Sequence, residues 1–231
     1  MSTICGIDEA GRGPVIGPMV ITGILIDEKD LDKLKNIKVR DSKLLTPKQR
    51  EFLYKEIKKI IIKEKTIIIS HNEIDDALNS EELNLNKLEA IKTAMIINFL
   101  KPEKVTIDCP SVNIKSYVDY LKNFLKYEPK IKAEHKADYK YCEVSAASII
   151  AKVTRDAEIE KLKKKYNVDF GSGYPSDPIT QEFLKKNYSK YDFFRKTWSS
   201  YKRLTEKKKQ RSLMDYQRQN LKTIKEQELY D

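Results

Sequence analysis

Glycine is scarce in this sequence and unevenly placed. Only seven occur in 231 residues: Gly6, Gly11, Gly13, Gly17 and Gly23 crowd the N-terminus, and Gly171 and Gly173 stand together much later. Glycine lets a backbone turn sharply or approach a ligand closely, so these two places are candidates for two parts of one site. Cysteine is equally thin. Cys5, Cys109 and Cys142 are odd in number, far apart and without a C-x-x-C, which argues against a disulfide framework or a structural zinc site. No apolar run reaches the ~18 residues needed to span a bilayer. No basic stretch leads into an apolar signal region near the first residues. A reduced, cytoplasmic protein without membrane contact is expected.

What the chain does have is charge. Hydrophobic residues make up 40% and charged residues 35%, and Lys plus Arg exceed Asp plus Glu by ten. A net charge of +10 suits a polyanionic partner such as nucleic acid or an acidic membrane surface. A lysine-rich surface that only maintains solubility accounts for the same figure. The length fits one domain with a small appendage, 1–200 and 201–231.

Thr3 to Asp8 reads as a buried strand, and Val15 to Ile26 as one or two more, joined by the glycine-rich turn. Gly11 and Gly13 make a superficial G-x-G. A dinucleotide fingerprint needs a helix next, however, and here Pro14 and β-branched residues follow. Thr46, Pro47 and Gln49 form a capping-box start for a helix over Pro47 to Ile61. Further strands are expected at Lys65 to Ser70, Val105 to Asp108 and Lys130 to Ala133. Helices are expected at Leu83 to Leu100, Ser111 to Leu125 and Tyr139 to Lys165, with a short helical turn over Asn72 to Asn79. Ser145, Ala146, Ala147 and Ser148 predict very close packing of the longest helix on the sheet. Asp177 and Pro178 start one more helix. Beyond Lys202 the chain is basic and polar, a C-terminal helical appendage.

Four acids share one context. Asp8 with Glu9, Asp108 and Asp138 each stand at or just past the end of a short apolar strand. Strand ends gather at one edge of an α/β sheet, so these acids can converge although distant in sequence. Like charges a few ångströms apart raise one another's pKa, and divalent cations supply the compensating charge. An all-oxygen donor set without a Cys or His cluster suits Mg²⁺ or Mn²⁺ rather than zinc. Two such ions ~4 Å apart would orient a water and stabilise the leaving oxygen of a phosphodiester. Taken singly, an Asp after a strand serves equally as a turn residue or helix cap, so the pattern alone leaves both readings open.

The motifs decide between them by likeness. Gly6-Ile7-Asp8-Glu9-Ala10-Gly11-Arg12-Gly13-Pro14, Asp41-Ser42-Lys43, Ile107-Asp108, His135-Lys136-Ala137-Asp138, Ser145-Ala146-Ala147-Ser148-Ile149-Ile150-Ala151-Lys152, Gly171-Ser172-Gly173-Tyr174-Pro175-Ser176-Asp177-Pro178 and Arg195-Lys196-Thr197-Trp198 together resemble type 2 ribonuclease H, the ribonuclease HII family, in its archaeal and eukaryotic branch. The likeness runs in order from residue 4 to about 200. It implies a ribonuclease H-like fold, a mixed five-stranded sheet flanked by helices, and hydrolysis of the RNA strand of RNA-DNA hybrids, including single ribonucleotides embedded in DNA. It implies two divalent ions on Asp8, Glu9, Asp108 and Asp138, and cleavage that leaves 3′-hydroxyl and 5′-phosphate ends. By the same likeness Gly11, Arg12 and Gly13 grip the backbone around the scissile phosphate and read a ribose 2′-OH. Tyr174 stacks on the sugar after a lone ribonucleotide, and Lys43 holds a DNA-strand phosphate. Taken singly, Arg12, Lys43 and Tyr174 are ordinary surface or turn residues. Lys152 and Arg155 either reach the substrate or lie on a solvated helix face, and His135 reads as a hydrogen-bonded strand-end residue.

Two other classes compete. One is a non-catalytic nucleic-acid-binding module whose acids are caps, and the other is a nuclease of the same fold that cuts all-DNA duplexes. A monomer is expected. The tail Gln210-Arg211-Ser212-Leu213-Met214-Asp215-Tyr216 faintly resembles a sliding-clamp binding peptide lacking its second aromatic, a weak partner contact; an amphipathic helix packed on the domain or on the hybrid is its other reading.

Overall fold

The computed structural model describes residues 2–39, 45–206 and 210. Its centre is Thr3–Ala10 (β1), which pairs antiparallel with Met19–Asp27 (β2) across the glycine-rich turn. After Leu31–Asn36 (α1) and Pro47–Ile60 (α2), Lys63–Ile69 (β3) adds antiparallel to β2. His71–Asn79 (α3) and Leu85–Leu100 (α4) then lead to Lys104–Asp108 (β4), which lies parallel to β1 on its other side. Ile114–Lys122 (α5) connects β4 to Lys130–Glu134 (β5), again parallel. The sheet is therefore mixed and five-stranded, in the order β3-β2-β1-β4-β5. With β1, β4 and β5 parallel, their C-terminal ends share one edge, where ligands of open α/β sheets bind.

Helices cover both faces. Cys5, Ile7, Val105 and Ile107 point to the face under α4 and α5, where Leu88, Ile96, Ile97 and Leu121 meet them. Ile24 and Ile26 point to the other face, packed by α2 and by Cys142–Tyr166 (α7). Each such side chain, fully buried, contributes roughly 1.5–3 kcal/mol. The small-residue stretch of α7 is buried as expected. The close approach falls at Gly6, where a Cβ would lie 2.3 Å from the Glu143 carbonyl, so only glycine admits the helix to β1.

Beyond α7 the chain doubles back through Pro178–Asn187 (α8) to a helical stretch over 199–206. Phe170, Phe193 and Phe194 form a third core with Val15 and Ile16. Phe193 sits 4.9 Å from the Tyr166 ring and 5.1 Å from those of Tyr191 and Phe194. Each aromatic pair adds about 0.5–1.5 kcal/mol beyond its buried area. This cluster straps the segment after α7 onto the N-terminal turn.

Several expectations need correction. The apolar run from Val15 does not begin a strand, since Ile16 makes only a bridge to Phe194 and β2 starts at Met19. The helix expected from Tyr139 is split into Ala137–Lys140 (α6) and α7, because Tyr141 between them is extended. The turn over 72–79 is the full helix α3, capped by Ser70, and α1 went unforeseen. The Thr46–Gln49 capping box forms as read. Lys43, the rest of the Asp41-Ser42-Lys43 motif, and the tail peptide except Gln210 lie outside the described residues. Among the described residues no helix is long and apolar enough to cross a membrane.

Candidate active site

The register of the parallel strands builds the acid cluster. Ile7 pairs with Ile107, so the next residues, Asp8 and Asp108, stand side by side at the end of that ladder. Asp108 in turn pairs with Glu134 at the end of β5, four residues before Asp138. Lys136 adopts a left-handed backbone (φ 56°), uncommon for a side-chain-bearing residue, and turns the chain back at that point. The Ala137 amide then donates to Asp108 Oδ1 at 3.0 Å, tying α6 to β4. Asp8, Asp108 and Asp138 consequently each place a carboxylate oxygen within 4.8 Å of the others.

Glu9 falls outside that group. Successive strand side chains point to opposite faces, so Asp8 turns toward Ser148 on α7 while Glu9 turns toward Glu89 on α4. Burial and the Asp108 carboxylate push the Asp8 carboxyl up to about 7, against the pull of the Ser148 hydroxyl and the Glu9 amide, which donates to it at 2.7 Å. Burial, then Asp8, Glu89 and Asp108, hold Glu9 well above the usual carboxylate range, with Arg12 opposing. Converging buried oxygens that repel a second negative charge are a donor set for a hard divalent cation, and no Cys or His joins them.

The glycine turn beside the acids is held from below. The Arg195 guanidinium, fully buried, donates from Nη2 to the Gly11 carbonyl (2.6 Å), from Nη1 to that of Arg12 (2.9 Å) and from Nε to that of Gly17 (3.0 Å). Trp198 Nε1 donates to the Gly13 carbonyl at 2.9 Å, and its ring lies 4.7 Å from the guanidinium. Asp75 on α3 anchors the segment by accepting from the amides of Lys196 and Thr197. In a trans peptide the N–H points away from the preceding carbonyl. With the Gly11 and Arg12 carbonyls turned to Arg195, the amides of Arg12 and Gly13 face the opposite way. Burial lowers the Arg195 pKa to about 9, foremost among its causes.

Gly11 has φ +81°, and a Cβ there would lie 2.3 Å from Arg155. Arg155 is therefore not part of a solvated face: it is 5% exposed, wedged under the turn. Its guanidinium carbon lies 5.2 Å from the Tyr174 ring centroid. Tyr174 is 40% exposed, and a Cβ on Gly13 would be 3.8 Å from its ring. The Gly173 carbonyl accepts from the amides of Val15 (2.9 Å) and Ile16 (3.3 Å), so the two glycine-rich stretches are hydrogen-bonded to each other. The Arg12 side chain points to α4, where it pairs with Glu89 at 2.9 Å. His135 Nδ1 lies 3.1 Å from the Cys109 carbonyl, a strand-end contact as read. Sequence reasoning missed Glu89, Asp75 and Ser148 and gave Arg195 no role. Ser148, Arg195 and Trp198 carried a signal, their place in quoted motifs, whereas Glu89 and Asp75 carried none.

A mixed sheet with this strand order, and aspartates clustered at the ends of its parallel strands, defines a ribonuclease H-like nuclease. The ribonuclease HII family model matches residues 5–201. The ribonuclease HII of Pyrococcus horikoshii is 49% identical over 88% of this chain and 93% of its own length. The crystal structure of ribonuclease H2 from P. horikoshii OT3 superposes with a TM-score of 0.80 at 47% identity, covering 89% of this chain and 98% of that one. The ribonuclease HII solved in complex with PCNA from Archaeoglobus fulgidus gives a TM-score of 0.79 at 40% identity, covering 87% and 96%. The chain belongs to the ribonuclease HII family, hydrolases that act as endonucleases on the RNA of RNA-DNA hybrids.

Proposed function

We propose that this enzyme cleaves the RNA strand of hybrids, and single ribonucleotides embedded in DNA, at the edge where Asp8, Asp108 and Asp138 meet. The convergence of these three carboxylates beside outward-facing turn amides is the observation that carries the reading. Two divalent ions, Mg²⁺ or Mn²⁺, held by these residues and Glu9, would supply activation of the attacking water and stabilisation of the leaving oxygen, giving 3′-hydroxyl and 5′-phosphate ends. The chain's own residues supply the recognition. The Arg12 and Gly13 amides donate to a ribose 2′-OH, the group that separates RNA from DNA. The Arg12 guanidinium contacts a backbone phosphate, which positions the duplex without reading sequence. Tyr174, exposed against Gly13, stacks on the sugar following a lone ribonucleotide. Lys43 contacts a phosphate of the DNA strand.

The test is a cleavage assay on a hybrid, a DNA duplex with one ribonucleotide and an all-DNA duplex, with Mg²⁺, Mn²⁺ or chelator. Metal-dependent cutting of the first two with 3′-hydroxyl products supports the reading. Cutting of the all-DNA duplex, or activity in chelator, overturns it. We also propose a weak sliding-clamp contact through Gln210 to Tyr216, since the A. fulgidus relative was solved with PCNA. Titration of the tail peptide against a clamp tests it. The enzyme is read as a cytoplasmic monomer, and its three free, buried cysteines suit a reducing compartment. We also propose a catalytic domain over residues 1–200 and a basic appendage over 201–231, whose Tyr201 and Leu204 pack on the aromatic core.

A further inference from the structure

Helix α4 reaches the glycine turn through two side chains three residues apart, on one helical face. Glu89 is 1% exposed. Its Oε1 accepts from Arg12 Nε at 2.9 Å, and its Oε2 is buried without a hydrogen-bond partner. Asn86 Oδ1 accepts from Arg12 Nη2 at 2.7 Å. A buried carboxylate costs the fold desolvation that an apolar residue of similar size would avoid, so a single exposed partner is poor reason for it as a stability device. Its effect is instead on Arg12. The guanidinium is fixed on one edge, while its side chain stays 38% exposed. Of its five N–H donors, two are used among the described residues. The remaining three include the planar fork that matches a phosphate. A fork fixed beforehand loses less rotamer freedom on capturing its ligand.

We propose that Glu89 and Asn86 are positioning residues that hold the Arg12 guanidinium in place before nucleic acid arrives, so that its open edge receives a backbone phosphate. This rests on the reading of Arg12 as a phosphate contact, and the experiment separates the two. Hybrid affinity is measured against salt in chelator, and KM and kcat in Mg²⁺, for Arg12→Ala, Glu89→Gln, Asn86→Ala and each of the latter combined with Arg12→Ala.

Arg12→Ala should weaken binding and lower the salt slope by about one. Glu89→Gln and Asn86→Ala should each raise KM about 3–10-fold with kcat nearly unchanged, and add nothing in the Arg12→Ala background. Additive effects in the double variants, or normal KM in both single variants while Arg12→Ala is impaired, overturn the positioning role alone. Normal affinity and slope in Arg12→Ala overturn the phosphate reading and the proposal with it. If Glu89→Gln does not fold, the less buried Asn86→Ala carries the same comparison.

Discussion

The acid edge and the glycine turn touch each other but are built on opposite electrostatics. At the edge, three aspartates from β1, β4 and α6 bring like charge together, and the Asp8 carboxyl is driven up to about 7. At the turn, one buried cation is spread over three carbonyls, with an indole beneath it. The turn is complete within the chain, whereas the edge needs a counter-charge from outside. One half of this surface is thus neutralised within the chain, and the other gathers negative charge without a matching cation of its own.

The sharpest way to break that contrast is Asp8→Asn. Hydrolysis should fall on the order of 10³-fold or more. Hybrid binding should persist, because the turn is intact. Full activity in a single-turnover assay would remove Asp8 from the chemistry.

Next in size is Arg195→Ala, which strips the donors from three turn carbonyls and should cost about 3–5 kcal/mol in denaturant unfolding. Arg195→Lys should recover only part of it, since an ammonium lacks the planar fork that spans those carbonyls. Equal stability of Arg195→Lys and the parent would show that charge alone suffices there.

The edge makes its own prediction through pH. Asp8 is raised to about 7 in the folded chain, from an ordinary value near 4, chiefly by burial and by the Asp108 carboxylate. Such groups stabilise the fold fully below the unfolded pKa, and that contribution is lost as pH rises through the folded pKa. Metal-free protein should lose roughly 2–4 kcal/mol between about pH 4 and pH 7. Added Mg²⁺ or Mn²⁺ should therefore raise Tm more at pH 8 than at pH 5, and a pH-independent Tm increment would contradict the unmatched-charge account.

The smallest effect belongs to the rim. Tyr174→Ala should reduce cleavage at a single embedded ribonucleotide about tenfold, as loss of a ring–sugar stacking contact of roughly 1–3 kcal/mol implies. Long hybrids, which offer many ribose contacts, should suffer less, and an equal loss on both substrates would count against a junction role.

Much of this was legible from the residues because local physics decides it. The Thr46–Gln49 capping box and the strand ending in Asp108 depend on near neighbours and formed as read, and the first strand also formed but runs two residues past Asp8, to Ala10. The grouping of strand-end acids followed from how parallel strands share an edge. Harder to read were features set by a distant partner. Tyr141 is extended where helical periodicity ran straight through it, and Ile16 pairs with Phe194 rather than continuing a strand.

By itself, then, the sequence determined the order of strands and helices, the family likeness and the set of acids to consider, since propensity, capping and periodicity act over a few residues. Only the tertiary structure decided that Glu9 turns away from Asp8 toward α4, and that Glu89 takes one edge of Arg12. It alone decided that Arg195 closes on a turn 178 to 184 residues away. Those outcomes rest on long-range packing and on desolvated charge finding a partner, and neither is written in any short stretch of chain.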